Sequence, residues 1–351
     1  DPLVIAGGPC AYNVEPLADF LDFVVLGEGE EVIHEILDAV KAGKEAGLAR
    51  KELLAGMCRI PGVYVPSLYE PHYAQDGSFA GITPIHPDAP AKISKRVVKD
   101  LAAAAFPEEF VVPYVDVVHD RVMVEVLRGC TRGCRFCQAG MIYRPVRERD
   151  PETLKQQIRQ LIDATGYDEI SLTSLSSGDY TCIEPLVEEL VAEYKDQGVA
   201  VSLPSLRVDS FAVEMAKEIE KARKTGLTFA PEAGTQRLRD VINKNVTEEN
   251  LFRVVEGAFA AGWHSIKLYF MIGLPTETTA DLDGIVHLAQ EVLRIGREKR
   301  ASRRLPEVTI STASFVPKAH TPFQWNGQDS KAVLREKQAY LREDRKSTRL
   351  N

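Results

Sequence analysis

From Arg121 onward the apolar positions follow a regular beat. Short apolar runs (VMVEVL, EISLTSL, VAVSLPSL, LTFAPE, SIKLYFMIG and VTISTASFV) alternate with longer stretches in which apolar residues recur every three or four positions. The longer stretches include PETLKQQIRQLIDAT, IEPLVEELVAEYKDQG, SFAVEMAKEIEKARKTG and DLDGIVHLAQEVLRIGREKR. The first spacing predicts strands and the second amphipathic helices. Gly166, Gly198 and Gly226 close three of the helical stretches, as a left-handed cap requires. The strand runs show no apolar–polar alternation, which predicts strands buried on both faces in a parallel sheet under helices. Six such β/α units over residues 121–326 predict a partial, TIM-like (β/α) barrel. Its chemistry would lie at the carboxyl ends of the strands.

Upstream, LVIAGG, EPLADFL, DFVVLGEGE and EEVIHEILDAV read as strand, helix, strand and helix. Residues 1–43 are therefore expected to be the C-terminal half of a doubly wound, Rossmann-like α/β unit. In residues 44–120 prolines fall at 61, 66, 71, 84, 87, 90, 107 and 113. That stretch reads as a connecting region with a few short strands, such as GVYVP, and little core of its own. Residues 327–343 read as a linker. DRKSTRLN at 344–351 resembles a translated sequencing adapter and is set aside from fold reasoning. Because DPLVIAGG opens inside a strand pattern, the chain is expected to be an internal piece of a longer protein.

A length of 351 residues fits about two domains. The formal charge of −8 argues against broad attraction to nucleic acid or anionic lipid. Lys92, Lys95, Arg96 and Lys99 form a local basic run, read as a solvated helix face. No apolar stretch reaches bilayer-spanning length and no secretory signal opens the chain, so a cytoplasmic location is expected.

Three of the six cysteines, Cys130, Cys134 and Cys137, lie within RGCTRGCRFC. An odd number of thiols argues against a disulfide framework. Structural zinc needs a fourth ligand, which Cys182, Cys10, Cys58 or a distant His could supply. An iron–sulfur cubane explains the missing ligand differently: three thiolates hold three irons and leave the fourth open. Gly129 and Gly133 would let the loop wrap a bulky inorganic core. Arg128, Arg132 and Arg135 would offset its negative charge, on which the reduction potential depends.

CTRGCRFC resembles the CxxxCxxC signature of the radical S-adenosylmethionine superfamily, with Phe136 as the aromatic residue before the last cysteine. The resemblance covers about Arg121 to Trp325. It implies a 4Fe–4S cluster on the three cysteines, with S-adenosylmethionine chelated at the open iron and cleaved to a 5′-deoxyadenosyl radical. It also implies cofactor contacts at the strand ends. Ser177, Gly178 and Asp179 of SSGD stand where the family often has GGE, Asp179 accepting from the ammonium group. Ser205 and Arg207 follow the third strand, the guanidinium facing the carboxylate unless it pairs with Asp209. Glu232 of APEAGT would meet the ribose or methionine part, and Met271, Ile272 and Gly273 the adenine. Phe270 reads as core, His320 as a structural histidine and Cys182 as an inert thiol.

Residues 1–43 resemble the last part of the cobalamin-binding domain that precedes many such enzymes. Gly7 and Gly8 would then lie near the cofactor's nucleotide tail, and cobalamin becomes a candidate cofactor. SLSSGDY, APEAGTQRLRDVINK, YFMIGLPTET and FVPKAHTPFQW together resemble a bacterial group without an assigned reaction that also carries a C-terminal radical-enzyme-associated domain. The implied reductant is of flavodoxin or ferredoxin type. Two alternatives stand beside this reading. One is a cobalamin-dependent methyl or methylthio transferase acting on RNA, although no second cysteine triad is present for sulfur insertion. The other is a zinc-stabilised or electron-transfer module without catalysis.

Overall fold

The computed structural model describes residues 2–115, 117–203, 227–301 and 304–347. The chain divides into two compact units, Asp1–Phe106 and Pro107–Asn351.

In the first unit, β1 (Ile5–Ala6) runs parallel to β2 (Phe23–Val25), and β3 (Val63–Tyr64) pairs antiparallel on the other side of β2. The segment between β1 and β2, expected to be helical, forms two 3₁₀ turns, Pro9–Asn13 and Glu15–Phe20. Each carries a proline in its first turn, which supplies no N–H, and neither is long enough to recover the cost of starting an α-helix. Helices α1 (Val32–Glu45) and α2 (Arg50–Met57) cover the sheet. Phe23, Val32, Ile36, Leu54, Met57, Cys58, Val63 and Val65 form one buried cluster. The core begun before residue 43 is thus completed by the stretch read as a connector. A hairpin, β4 (Tyr69–Tyr73) and β5 (Phe79–Pro84), follows. The prolines of this stretch punctuate short elements; they do not mark a missing core.

Nor is the basic run at 92–99 a helix face. Arg96 N donates to the Leu26 carbonyl at 2.8 Å, and Glu28 N donates to the Arg96 carbonyl at 3.2 Å. The Arg96 guanidinium pairs with Glu35 at 2.7 Å and Glu31 at 3.4 Å. Gly27 has a φ of +105°, and a Cβ there would stand 2.2 Å from the Arg96 carbonyl oxygen. Only glycine allows this strand-like approach.

The second unit contains the six expected strands: β6 (Val122–Glu125), β9 (Glu169–Thr173), β10 (Ala200–Ser202), β11 (Leu227–Glu232), β12 (Ser265–Ile272) and β13 (Glu307–Ser314). All their pairings are parallel, in the orders β10-β9-β6 and β11-β12-β13. The two-residue strands β7 (Leu127–Arg128) and β8 (Arg147–Glu148) flank the cysteine loop, within which lies the short α3 (Ala139–Ile142). Helices α4 (Pro151–Thr165), α5 (Ile183–Tyr194), α6 (Gln236–Val241), α7 (Glu248–Ala260) and α8 (Thr279–Lys299) supply the outer layer. Helix α4 has the start and stop its sequence announces. Asp150 accepts from Thr153 N at 3.0 Å, and the helix ends at Gly166 with φ +69°.

One expectation about the strands is corrected. β12 alternates: Ile266, Leu268, Phe270 and Ile272 are buried, whereas Tyr269 is 40% exposed. On β6, Met123 is 42% exposed between buried Val122 and Val124. The helix-facing side packs against Leu251, Val255 and Phe259 of α7 and Leu282, Ile285 and Leu288 of α8. Each such fully buried side chain contributes roughly 2 kcal/mol. The opposite side faces the partly open interior of an incomplete barrel. Its residues are themselves apolar or long, so the sequence shows no polar alternation.

The segment read as a linker also differs, forming α9 (Lys331–Ser347). Its Leu334 and Leu341, two turns apart, pack onto the α7–α8 core, a spacing easily lost among charged residues. Among the described residues no helix is long and apolar enough to cross a membrane.

The turn after β11 sits directly on α8. A Cβ on Gly234 would lie 2.2 Å from the Asp281 carbonyl oxygen, and one on Gly284 would lie 2.7 Å from the Gly234 carbonyl oxygen. Replacing Gly234 by alanine forces these backbones apart. Gly234→Ala is expected to destabilise the chain by about 3 kcal/mol, read as a lower urea midpoint at unchanged slope.

Candidate active site

The cysteine loop leaves the carboxyl end of β6 and returns through β8, which pairs antiparallel with β7 (Leu127↔Glu148, Arg128↔Arg147). This two-residue ladder forms a neck. Gly129 fits it only because it lacks a side chain: with φ +92°, its Cβ would be 2.7 Å from the Tyr143 carbonyl oxygen and 2.9 Å from that of Pro145. Beyond the neck the loop turns back on itself, with Cys137 N donating to the Cys134 carbonyl at 3.1 Å. Gly140 N donates to Cys137 Sγ at 3.4 Å. Cys134 is 9% exposed, Cys130 and Cys137 are half-buried, and no disulfide joins any of the six cysteines.

Residues far along the chain hold this loop in place. Arg135 N donates to the Ile242 carbonyl at 2.9 Å, and Asn243 Nδ2 donates to the carbonyls of Gly133 at 2.9 Å and Arg132 at 3.4 Å. From the sixth unit, Phe323 N donates to the Arg135 carbonyl at 3.2 Å, while Gln138 Nε2 donates to the Ala319 carbonyl at 3.2 Å. Phe136, Val241 and Met271 pack onto a buried cluster of Ala233, Leu238, Ile242, Leu274, Phe315 and Phe323. The loop from the first β/α unit is therefore fastened to the fourth, fifth and sixth.

The three arginines expected to balance cluster charge are engaged in holding the loop. Arg128 forms a forked pair with Glu125 at 2.7 and 2.9 Å. Arg132 pairs with Asp179, its Nε at 2.8 Å from Oδ2. Arg135 donates to the Val241 carbonyl at 2.5 Å.

Asp179 ends the 3₁₀ turn Ser177–Asp179 after β9 and accepts from Ser176 Oγ at 2.7 Å as well as from Arg132. Gly178 lies in the same turn. The Ser177 side chain is turned inward: it is fully buried, 3.0 Å from Ser174 Oγ and 3.3 Å from the Leu172 carbonyl. Glu232 stands at the end of β11, where the register with β12 shifts, and has a φ of +70°. Such a conformation is uncommon for a side chain of this size and marks strain held by the surroundings. Its carboxylate meets Lys244 Nζ at 3.4 Å. Burial pushes the Glu232 carboxyl above its ordinary value, against the opposing charge and hydrogen bond of Lys244.

The structure separates the residues expected at the adenine. Met271 is partly open toward the cluster that also receives Phe136, whereas the Ile272 side chain is 1% exposed and points into the helix-facing core. Gly273, with φ +79°, has protein beside it: a Cβ there would lie 2.9 Å from Asp329 Oδ2. Gly7 and Gly8 follow the carboxyl end of β1 in the first unit, Gly8 with φ +85° and open space around its Cα. Cys182 precedes α5 and is half-buried. His320 has a φ of +64°, and its N–H donates to Gln324 Oε1 at 3.1 Å. Ser205 and Arg207 lie outside the described residues. Asn243 and Lys244 were not singled out in the sequence, although both fall in the RDVINK phrase. Asn243 acts through a turn that returns to a loop more than a hundred residues earlier, and Lys244 through the strained Glu232 at the end of β11.

Residues 124–289 match the radical SAM superfamily, and residues 1–66 match the N-terminal family of radical SAM proteins. The second unit therefore carries a radical SAM domain. An uncharacterised protein of Methanocaldococcus jannaschii is 28% identical over 92% of this chain and 61% of its own length. The tRNA-2-methylthio-N(6)-dimethylallyladenosine synthase of Carboxydothermus hydrogenoformans is 25% identical over 49% of this chain and 41% of that protein. Among solved structures, the radical SAM methyltransferase TsrM from Kitasatospora setae, with cobalamin and a 4Fe–4S cluster bound, has a TM-score of 0.60 at 14% identity. That likeness covers 92% of this chain and 58% of TsrM. The chain thus spans between about two fifths and three fifths of these proteins.

A radical SAM domain implies a 4Fe–4S cluster and S-adenosylmethionine, and the donor set fits. Three thiols share one glycine-hinged loop, one sulfur already accepts an N–H, and the loop is sheltered without being sealed. Among the described residues no group of three or more His, Cys, Asp or Glu converges on one ion position. A cubane binds its thiolates through separate irons and needs no such convergence.

Asn243 has a φ of +55°, which asparagine tolerates better than alanine. Asn243→Ala is expected to loosen the loop by about 2 kcal/mol, and Asn243→Gly, which keeps the backbone freedom, by about half as much. Faster hydrogen exchange over residues 130–137 in the cluster-free chain would register this. A second expectation concerns pH. Because the folded pKa of Glu232 is raised, the folded state binds that proton more tightly, and burying the ionised form costs stability at neutral pH. As pH falls from about 7 toward the ordinary glutamate value of 4.5, the wild type should gain stability relative to Glu232→Gln. Parallel urea titrations of the two proteins check the sign.

Proposed function

We propose that this chain is the central part of a radical SAM enzyme that reductively cleaves S-adenosylmethionine and begins radical chemistry on an unidentified substrate. The observation that carries the reading is the fastening of one three-cysteine loop over the carboxyl ends of the barrel strands. Cys130, Cys134 and Cys137 would hold the cluster. When bound, the cluster and S-adenosylmethionine supply one-electron cleavage of a sulfonium carbon–sulfur bond to a 5′-deoxyadenosyl radical.

The protein's part is binding, orientation and shelter. Gly140 N–H and the bonds made by Asn243 and Arg135 fix the sulfur positions. Asp179 would accept from the ammonium group, and its pairing with Arg132 ties that contact to the cysteine loop. Glu232, strained and held beside Lys244, would face the ribose or methionine part. Met271, with Phe136 beyond it, would offer the apolar surface for adenine. Ser177, Gly178 and the backbone at Ile272 and Gly273 would shape the floor, and Ser205 and Arg207 would close the side after the third strand. A cytoplasmic one-electron donor of flavodoxin or ferredoxin type would supply the electron.

A second reading is cobalamin-dependent methyl transfer. It is supported by the likeness to TsrM, which runs through both units of this chain, and it would place Gly7 and Gly8 beside cobalamin. The match to a tRNA-modifying enzyme makes RNA the first substrate class to offer. Methylthio transfer would require a second cysteine triad besides Cys130, Cys134 and Cys137, supplied from outside these 351 residues.

Anaerobic reconstitution with iron and sulfide, followed by reduction with dithionite in the presence of S-adenosylmethionine, tests the proposal. The wild type should show sulfur-to-iron visible absorption and form 5′-deoxyadenosine. Cys130→Ala, Cys134→Ala and Cys137→Ala should each lose both. Retention of chromophore and cleavage in all three variants would remove the loop from the mechanism. A chromophore without any cleavage would favour an electron-transfer module, and bound zinc a structural one. Methylated RNA formed only when cobalamin is added would select the second reading.

A further inference from the structure

Helix α9 reaches back to the loop after β12 through one half-buried cation. Lys337 Nζ lies 2.7 Å from Glu277 Oε1 and 2.7 Å from Asp329 Oδ2. The Glu277 side chain is 2% exposed, and the same Oε1 accepts from Gly273 N at 2.9 Å. The chain of contacts is therefore ammonium to carboxylate to the backbone N–H of Gly273, on a loop whose next turn holds the left-handed Thr276. Neighbouring contacts place the helix at that spot. Leu334, one turn before Lys337, would touch a Cβ on Gly273 at 3.3 Å. Tyr340, one turn after it, donates to Asp283 of α8 at 2.6 Å. Although burial works against the charge on Lys337, its bonds to Asp329 and Glu277 raise its pKa above the ordinary lysine value.

We propose that Lys337 is a positioning residue that fixes the backbone at residues 272–277, and with it the adenine side of the cofactor pocket, by clasping α9 onto Glu277. The inference rests on the assignment of that loop to S-adenosylmethionine. The physical reason is the cost of a lone buried carboxylate. Without Lys337, Glu277 keeps one N–H donor for a charge removed from water, and it must then take up a proton or swing outward. Either change acts on Gly273 N, because both bonds use one oxygen. The fold does not otherwise need this ion pair: Leu334 and Leu341 already seat the helix on the core.

The test compares Lys337→Met with Lys337→Arg in the 351-residue chain. Before any cluster is loaded, Lys337→Met should speed hydrogen exchange at residues 272–278 by about tenfold while leaving α7 unchanged, and arginine should restore part of the protection. After reconstitution, the methionine variant should raise KM for S-adenosylmethionine by about tenfold with kcat for 5′-deoxyadenosine little altered, the pattern of lost uniform binding. If melting temperature falls but exchange at 272–278 and KM stay at wild-type values, the lysine is merely structural and the proposal is overturned. If the wild type neither binds nor cleaves S-adenosylmethionine, the functional reading fails, and the exchange comparison still decides the clasp: protection lost upholds it, protection kept overturns it. Should Lys337→Met not fold, Asp329→Asn, which weakens only the outer pair, should shift exchange in the same direction to a smaller degree.

Discussion

Three sulfurs can act as one ligand set only if the backbone carrying them is held from outside the loop, and here that restraint is made of hydrogen bonds across the barrel. A loop between β7 and β8 has no secondary structure of its own beyond α3, so its carbonyls and N–H groups must find partners elsewhere. They find them at Ile242, Asn243 and Phe323, and the Gln138 side chain adds a bond to the Ala319 carbonyl. Each bond adds only about 1 kcal/mol. Together they convert a floppy insertion into a platform whose position depends on three other β/α units. The arrangement also couples folding to site formation: until β11, β12 and β13 are assembled, only the β7–β8 neck and the Arg132–Asp179 pair hold the loop.

The electrostatics at the strand ends follow from this geometry. Arg132 from the cysteine loop meets Asp179 after β9, and Lys244 after α6 meets Glu232 after β11. Both acids are therefore held by cations in or near the loop and its anchor. The two pairs differ in kind. Asp179 is held by a planar guanidinium and a serine hydroxyl. Glu232 faces a single lysine at 3.4 Å in a dry setting that raises its pKa, with a backbone strained into the left-handed region. A strained, desolvated acid is expensive to maintain, and such residues cluster where a ligand completes the environment.

The six-unit rhythm, the cysteine loop and the strand-end location of the candidate residues were legible in the sequence, because periodicity and a short motif are local signals. What escaped is non-local. Asn243 and Lys244 look like ordinary polar residues until the chain returns to Gly133 and Glu232. The 3₁₀ turns at Pro9 and Glu15 imitate a helix, since proline suits a first turn of either kind. Helix α9 was hidden by its charge: two leucines seven positions apart are too thin a stripe to stand out in KAVLREKQAYLRED. The resemblance of YFMIGLPTET puts Met271 and Ile272 together at the adenine, although strand geometry sends adjacent side chains to opposite faces.

That last point divides the labour along β12. Ile266, Leu268, Phe270 and Ile272 face the helices and carry the packing, so changes there act on stability first. Lys267, Tyr269 and Met271 face the other way, and Lys267 Nζ sits 5.0 Å from the centre of the Tyr269 ring. Lys267 and Tyr269 contribute little to the core, whereas Met271 packs onto the cluster that also receives Phe136, at the strand end proposed for the adenine contacts. Lys267 and Tyr269 can therefore vary at little cost to stability. A partial barrel thus sets stability on one face of the strand and leaves the other face open to change.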